Sequence, residues 1–281
     1  MNTIAISIPV ETVIAAARCL RHANRYAEAT ALLTSAADPD EDPRLAVARA
    51  EVLVADDWHH GRWTDTDKMR DARRIVEAHG TPVQIWDLDR QFVWAGYGRQ
   101  LFTADGSRRQ VSDREPAEMA ELRRRAEALL DSAPDGRRRA WAEFNLGLVG
   151  DNIFGERENS PAHFAAALRG AEEHGDDYLI FESLRHLGDH DHDAGDHELT
   201  RQRWERSAHH AAKAGLVGAT LAQLLLLAVS ARDRDDEGGA MLLATEVHRW
   251  ADAIGFKRIR EQAAEFIAGV DPTTQPEAEH A

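Results

Sequence analysis

The chain has 281 residues and a formal net charge of −15, with 34 Lys and Arg against 49 Asp and Glu; 43% of its residues are hydrophobic and 6% are aromatic. This composition is typical of an acidic globular protein, and its charge opposes binding to nucleic-acid phosphates or anionic membrane surfaces. We therefore expect neither a nucleic-acid nor a membrane partner. The single cysteine, Cys19, excludes an internal disulfide framework and favours a cytoplasmic location.

Apolar residues recur at spacings of three and four along almost the whole chain, which predicts an all-α protein. The first amphipathic helix covers residues 10–22, and Cys19 is expected in its buried face. Residues 216–231 form the longest apolar stretch, but it is too short for a membrane span and predicts a buried helix. A last helix is expected over 256–267, followed by a polar, disordered tail at 271–281.

Breaks rich in Pro, Gly and Asp divide the chain into about a dozen helices joined by short loops. The exception is the segment 99–116, which is long and rich in arginine. Connections of this length in a compact domain are usually functional insertions or disordered segments. Two hypotheses stay open for its arginines: an anion-binding patch, or a solvated surface paired with the interleaved acidic residues.

The helices follow a repeat. Gly175, Gly215 and Gly255 are spaced by 40 residues, and each follows an alanine by four positions. Glycine suits a helix C-terminus because the residue there adopts a left-handed conformation. Gly80 fits the same register, with Val76 four positions before it. A fixed period of this kind predicts a stacked array of helix hairpins.

The repeat resembles a known family. The pairs Leu146-Gly147 and Leu187-Gly188 lie in predicted first helices, Gly195-Asp196 in a turn, and Phe164 and Trp204 in second helices. This arrangement resembles the tetratricopeptide repeat, although the period is about 40 residues. The long period is similar to helical sensor and effector domains of actinobacterial regulators.

The resemblance implies a right-handed α-α superhelix of about six stacked tetratricopeptide-like hairpins, forming a single helical-repeat domain over residues 1–270. It also implies that the leucines and aromatic residues pack in the core. Gly147 and Gly188 would then allow helices to approach closely.

Three residues form a candidate metal site. His186 and His190 lie four apart, so both imidazoles share one helix face, and Asp189 lies between them. Such a set can bind a zinc-like or iron-like ion. The alternatives are that these polar residues at a helix end face water, or that they take part in proton-transfer chemistry. We expect no cofactor, with a divalent metal as the minority hypothesis.

The resemblance also implies a concave groove lined by first-helix residues. On this basis we expect Trp141, Asn145, Arg185 and Gln223 to contact a ligand, with Asn145 at the position where an asparagine of the family often holds a peptide backbone or carboxylate. Trp58, His59 and Trp63 cluster in a hairpin turn and can stack on a ligand or a cation. The alternative is that these tryptophans pack over the end of a hairpin.

The expected function is a non-enzymatic binding or regulatory module that holds a peptide, a protein segment or a small ligand in its groove. The sequence contains no nucleophile elbow, phosphate-binding loop or dinucleotide fingerprint, and no catalytic residue is assigned. The alternative is an enzyme or ligand-binding protein of specialised metabolism, with a pocket inside the superhelix lined by Trp, His and Asp. A homodimer through the terminal hairpins is a further hypothesis.

Overall fold

A computed structural model describes residues 8–36, 41–61, 66–103, 107 and 109–273 of the chain. In these ranges the regular structure is α-helical, apart from a single-turn 3-10 helix at Val111–Asp113, and contains no strand. The predicted all-α class is therefore confirmed. The helices are α1 (Val10–His22), α2 (Tyr26–Thr34), α3 (Pro43–His60), α4 (Thr66–His79), α5 (Pro82–Leu101), α6 (Pro116–Asp131), α7 (Gly136–Phe154), α8 (Ser160–His174), α9 (Asp177–Asp193), α10 (His197–Lys213), α11 (Val217–Arg232), α12 (Glu237–Ala253) and α13 (Lys257–Ile267).

The chain divides into two compact units, Met1–His163 and Phe164–Ala281. In the first unit, α1 packs on α2, α3 on α4, α5 on α6 and α6 on α7. In the second unit, α9 packs on α10, α11 packs on α12, and α13 packs against α12. Consecutive helices thus form the hairpins that the repeat predicts, and α13 follows the last of them. The single domain over residues 1–270 stays a prediction.

The repeated glycines end helices as predicted. Gly175, Gly215 and Gly255 have positive φ values of 64°, 73° and 71°. The backbone N–H of the residue after each glycine donates to the carbonyl of the alanine four positions before that glycine, at 2.9, 2.9 and 2.8 Å. These bonds satisfy carbonyls that the helix end would otherwise leave unpaired. The three alanines, Ala171, Ala211 and Ala251, are fully buried.

Gly80 departs from this pattern. Its N–H bonds to the carbonyl of Val76 at 2.8 Å, but it is absent from the glycines with positive φ in the described part of the chain. The next residue, Thr81, already begins α5 with a reciprocal capping box to Gln84. Because the new helix starts at once, no residue is left for a left-handed turn. The prediction that Gly80 ends its helix in a left-handed conformation is therefore wrong. Val76, at the position of the buried alanines, is buried.

Two predictions about single side chains need correction. Cys19 is exposed, because the buried stripe of α1 runs through Val13, Ile14 and Ala17 and leaves position 19 on the solvent side. In α7, Phe144 is fully buried, whereas Leu146, which was expected in the core, is half-buried.

The predicted insertion is shorter than expected, because α5 continues to Leu101. Two of its arginines bind backbone carbonyls: Arg109 donates through Nε to the carbonyl of Arg99 at 2.9 Å, and Arg114 donates to the carbonyls of Asn152 and Ile153 at 3.1 and 3.4 Å. Arg114 therefore caps the end of α7. Arg108 lies outside the described residues, as does the tail from residue 274 onward.

The predicted apolar helix is present as α11, and its inner face is buried in the core of the second unit. None of the helices in the described ranges is both long and apolar enough to cross a membrane.

Candidate functional site

An aromatic cluster lies where α3 ends beside α5 in the first unit. Trp58 meets Trp94 edge-on, with ring centroids 5.4 Å apart, and lies 5.6 Å from Tyr97 and 5.9 Å from Phe102. Edge-to-face and offset contacts at these distances stabilise aromatic pairs beyond the area that they bury. The cluster therefore places the Trp94 ring beside Trp58 and Tyr97.

The same cluster continues to α7. Trp94 stacks on Phe144 at 6.3 Å with an interplanar angle of 28°, and Trp141 meets Phe144 edge-on at 5.9 Å. Arg90 lies over the Trp141 ring at 4.5 Å. Trp58 and Trp141 thus belong to one aromatic cluster, and both pack on neighbouring rings. Both were predicted from the sequence to contact a ligand.

Polar contacts hold α5 in place beside its neighbours. Arg138 at the start of α7 donates to both carboxylate oxygens of Asp87 at 2.7 Å each. Trp86 donates through Nε1 to the carbonyl of Leu129 on α6 at 2.9 Å. A two-point arginine–carboxylate bond fixes orientation as well as distance. These contacts set the spacing of α5 and α7 at the aromatic cluster.

A small pocket lies between α5 and α7, but its lining side chains leave no room for a water-sized molecule. Ligand pockets for small organic molecules are usually roughly 300 to 1,000 Å³. The pocket is therefore too small, as it stands, to enclose an organic substrate. Its lining consists of Val93, Trp94, Tyr97, Asn145, Leu148 and Val149.

Two N–H donors of this pocket have no hydrogen-bond partner among the residues that the structure describes. They are Nδ2 of Asn145, a residue that is 2% exposed, and Nε1 of Trp94. A buried donor without a partner costs about 1 to 3 kcal/mol. Buried polar groups are usually paired, so two such donors in one apolar pocket need an explanation. Each donor lacks an acceptor of the kind that a carbonyl or carboxylate oxygen provides.

The remaining candidates of the first unit lie elsewhere. Nδ1 of His59 is 2.9 Å from Nδ2 of Asn24, and its ring lies 5.3 Å from that of Tyr26. His59 therefore contacts the turn between α1 and α2, away from the α5–α7 pocket lining. Trp63 lies outside the described residues.

Arg185 and Gln223 belong to the second unit, on α9 and α11. Gln223 is 0% exposed, and neither its Oε1 nor its Nε2 has a hydrogen-bond partner in the described part of the chain. Nη1 of Arg185 lies 3.4 Å from Nε2 of His186. Gln223 is thus a core residue. Arg185 belongs to a group of side chains on α9 with Glu182, His186 and Asp189, in which His186 is buried and the others are half-buried.

That group contains a carboxyl with an unusual pKa. Burial raises the pKa of Glu182 to about 7, although the positive charge of Arg185 opposes the shift and the negative charge of Asp189 adds to it. Burial also lowers the pKa of His186 well below its usual value, and Arg185 and His190 act in the same direction. His186 is therefore held neutral.

The three residues nominated for a metal make other contacts. The His186 ring, 8% exposed, stacks on Phe164 at 4.9 Å and 16°. The carboxylate of Asp189 accepts a hydrogen bond from Nε1 of Trp204 at 3.1 Å and lies 3.8 Å from Nδ1 of His186. His190 lies 6.0 Å from the Phe164 ring. Aromatic packing therefore determines the orientation of the His186 ring.

A different set brings three ligand atoms together. The described ranges contain a group of three histidine and carboxylate side chains whose ligand atoms all lie within 4.8 Å of one another. The group consists of His192, His197 and Asp233. The histidine-rich run contains both histidines, but the helical spacing of four points to His186 and His190 instead. Asp233 is 41 positions from His192 and gives no local signal.

The sequence reasoning also misses Trp94 and Tyr97. Their spacing of three on a helix is a usable signal, because residues i and i+3 lie on one face. No ligand contact is predicted for this face from the sequence, because the repeat resemblance is weak in this part of the chain.

Comparisons with known proteins give the chain likenesses among solved structures and no family. No family model and no curated protein matches it. Among solved structures, a chain described as "Crystal Structure of Rap Protein Complexed with Competence and Sporulation Factor" is similar over 93% of this chain and 92% of that chain, with 12% sequence identity and a TM-score of 0.45.

Proposed function

We propose that the protein is a non-enzymatic helical-repeat binding module that holds an extended peptide or protein segment against α5 and α7. Nδ2 of Asn145 and Nε1 of Trp94 donate to one carbonyl or carboxylate oxygen of the ligand. The aromatic cluster around Trp94 and Phe144 supplies apolar contact for the neighbouring side chain. The proposal includes a regulatory role and a cytoplasmic location.

The observation that carries the proposal is the pair of buried donors in one pocket that have no partner among the described residues. A ligand oxygen placed between them would recover the cost of leaving each N–H unpaired. Three of the other lining residues, Val93, Leu148 and Val149, have apolar side chains and offer these donors no acceptor.

The narrowness of the pocket favours an extended chain over a compact molecule. As it stands the pocket has no room for a water-sized molecule, so a ligand group reaches the two donors only when a lining side chain moves. Trp94 is half-buried, so a modest shift of its ring gives a ligand access to the two donors. An extended segment can place one residue here while the rest lies along the helices.

The test begins with phage display of random peptides selected on the full chain. Selected sequences are then synthesised with free and with amidated C-termini, and their affinities are measured by fluorescence anisotropy. Asn145→Ala is expected to weaken binding at least about tenfold, equivalent to about 1.4 kcal/mol. Trp94→Phe, which removes the indole N–H and keeps an aromatic ring, is expected to weaken it about threefold or more.

The matched control is Asn152→Ala, which removes an asparagine from the same helix. Its Nδ2 already donates to the carbonyl of Leu148 at 3.3 Å, so peptide affinity is expected to stay unchanged. If no peptide is selected, or if Asn145→Ala and Asn152→Ala bind equally well, the proposal is wrong. A loss on C-terminal amidation would identify the ligand group as a carboxylate instead of a backbone carbonyl.

A further inference from the structure

A group of metal-ligand side chains lies at one end of the second unit. His192 is in the last turn of α9, His197 is the first residue of α10, and Asp233 follows the last residue of α11. The turn between α9 and α10 is tight because Gly195 has a φ of 77°. This turn places His197 back over His192, and the end of α11 brings Asp233 beside both.

The distances suit a metal with three protein ligands. Nε2 of His192 lies 3.0 Å from Oδ2 of Asp233, and Nδ1 of His197 lies 3.7 Å from the same oxygen. All three ligand atoms fall within 4.8 Å of one another. In a tetrahedral zinc site with bonds of about 2.0 to 2.1 Å, ligand atoms are about 3.3 Å apart. The observed separations lie on both sides of this value.

Neighbouring groups orient His192 for such a role. Its ring stacks on Trp204 at 5.4 Å and 28°, so it is fixed by a residue of the core. With Nε2 directed at Asp233, Nδ1 lies 3.9 Å from a carboxylate oxygen of Asp193. Histidines that bind metals usually direct their second nitrogen to a carboxylate or carbonyl. At 3.9 Å the Asp193 oxygen is beyond hydrogen-bond distance, so it is the stacking on Trp204 that holds the His192 ring.

The site is open on one side. The side chain of His197 is 47% exposed, whereas that of His192 is 16% exposed. Two arginines bind other groups: Arg203 on α10 pairs with Asp191 at 2.7 Å, and Arg234, which follows α11, donates to the carbonyl of Ser230 at 3.0 Å. The exposure of His197 would allow water to complete the coordination of a metal.

We propose that His192, His197 and Asp233 form a binding site for a divalent transition metal, with Zn²⁺ as the fitting ion. Two imidazoles and one carboxylate favour Zn²⁺ over Ca²⁺ or Mg²⁺, which prefer sites made wholly of oxygen ligands. The metal would join the α9–α10 hairpin to the end of α11. It would thereby stabilise two successive hairpins of the second unit against each other.

The test measures binding of Zn²⁺ itself to the full chain. The protein is purified without a metal-affinity resin, treated with a chelator, and titrated with ZnCl₂ in a calorimeter, while Co²⁺ is added in parallel to follow coordination by absorption. We expect one ion per chain, a rise in melting temperature on adding Zn²⁺, and no competition by an excess of Mg²⁺ or Ca²⁺.

The variants are His192→Ala with His197→Ala in one chain, and Asp233→Asn in another. We expect Zn²⁺ affinity to fall at least about tenfold in each. Asp233→Asn keeps the shape of the side chain, so it reports on binding even if the double variant folds poorly. The matched control is His209→Ala with His210→Ala, which removes two histidines from the end of α10 and is expected to leave the affinity unchanged.

Two results would overturn the proposal: no saturable binding of Zn²⁺ by the wild-type chain, or binding that survives both Asp233→Asn and the double variant. A His190→Ala variant distinguishes the two histidine sets. If that change abolishes binding while the variants of the proposed site retain it, the metal belongs to His186, Asp189 and His190 instead.

Discussion

The packing of Trp204 against α9 gives the sharpest test of the fold. Trp204 is 0% exposed, and its Nε1 donates to a carboxylate oxygen of Asp189 at 3.1 Å. Replacement by alanine leaves a large cavity and an unpaired acceptor, so Trp204→Ala is expected to lower the free energy of unfolding by about 3 to 5 kcal/mol. Trp204→Phe keeps an aromatic ring and loses the hydrogen bond, for an expected cost of about 1 to 3 kcal/mol.

Gly188 provides the second half of this test. A Cβ atom at position 188 would lie 2.5 Å from Cδ1 and 2.6 Å from Nε1 of Trp204, which is closer than carbon atoms approach without displacement. Gly188→Ala is therefore expected to cost about 1 to 3 kcal/mol, even though alanine favours a helix over glycine. The short distances also agree with the sequence prediction that glycine here allows the helices to approach.

The two changes are expected to compensate when combined. In a chain that already carries Trp204→Ala, the Cβ atom that Gly188→Ala adds enters the cavity and meets no ring, so this second change becomes neutral or stabilising by up to about 1 kcal/mol. The coupling energy of the double-mutant cycle is then about 1 to 4 kcal/mol. As a control, Gly238→Ala meets only a carboxylate oxygen of Asp236 at 3.9 Å and is expected to add independently.

The assay is urea unfolding of the four chains of the cycle, followed by far-UV circular dichroism and by tryptophan fluorescence. A cost below about 1 kcal/mol for Trp204→Ala would show that this side chain is not in the core. Additive effects of the two changes would show that α9 and α10 do not meet at Gly188. Either result would refute the repeat register.

Three further predictions use the same unfolding assay. Because burial raises the pKa of Glu182 to about 7, the folded chain binds an extra proton between about pH 4.5 and pH 7. As the pH rises over this range, the free energy of unfolding of the wild-type chain should therefore fall by up to about 3 kcal/mol relative to that of Glu182→Gln. The same pH dependence of stability in the two chains would contradict this. Arg114→Ala removes the donors to the carbonyls of Asn152 and Ile153 and should cost about 1 to 3 kcal/mol, with no loss expected if the end of α7 is not capped by this arginine. Gln223→Met replaces a fully buried amide whose two polar atoms lack partners among the described residues, and it should stabilise the chain by about 1 kcal/mol or more; destabilisation would mean that the amide is satisfied.

The helices were predictable because their signals are local. Spacings of three and four identify the amphipathic faces, and glycine at Gly175, Gly215 and Gly255 marks a backbone conformation that other residues adopt only with strain. Gly80 shows the limit of this reasoning. It ends α4 at the expected distance from Val76, but the capping box at Thr81 decides the local backbone, and that competing signal lies one residue further on.

The candidate sites were predictable only in part, because they depend on which helices meet. Asn145 was predicted to contact a ligand because of its position in the repeat, and it lines a pocket. Trp94 lines the same pocket but lies on another helix, 51 residues away in the sequence. For the metal, spacing along one helix selected His186 and His190. The structure instead brings together His192, His197 and Asp233. These residues lie on both sides of a turn and after the end of a third helix, so their proximity cannot be read from the spacing within one segment.

The repeat gives α7, α9 and α11 the same helical backbone, but it does not determine which side chains occupy equivalent positions. α7, α9 and α11 begin at Gly136, Asp177 and Val217, so the tenth residue of each helix is Asn145, His186 and Leu226. The first lies in a pocket with an unpaired donor, the second is a neutral imidazole stacked on Phe164, and the third is a half-buried leucine packed against the core. The same position of the repeat therefore holds a polar side chain that can bind a ligand in α7 and an apolar side chain in α11. A ligand that binds through Asn145 should find no equivalent site at His186 or Leu226, so we expect one peptide per chain and not one per hairpin.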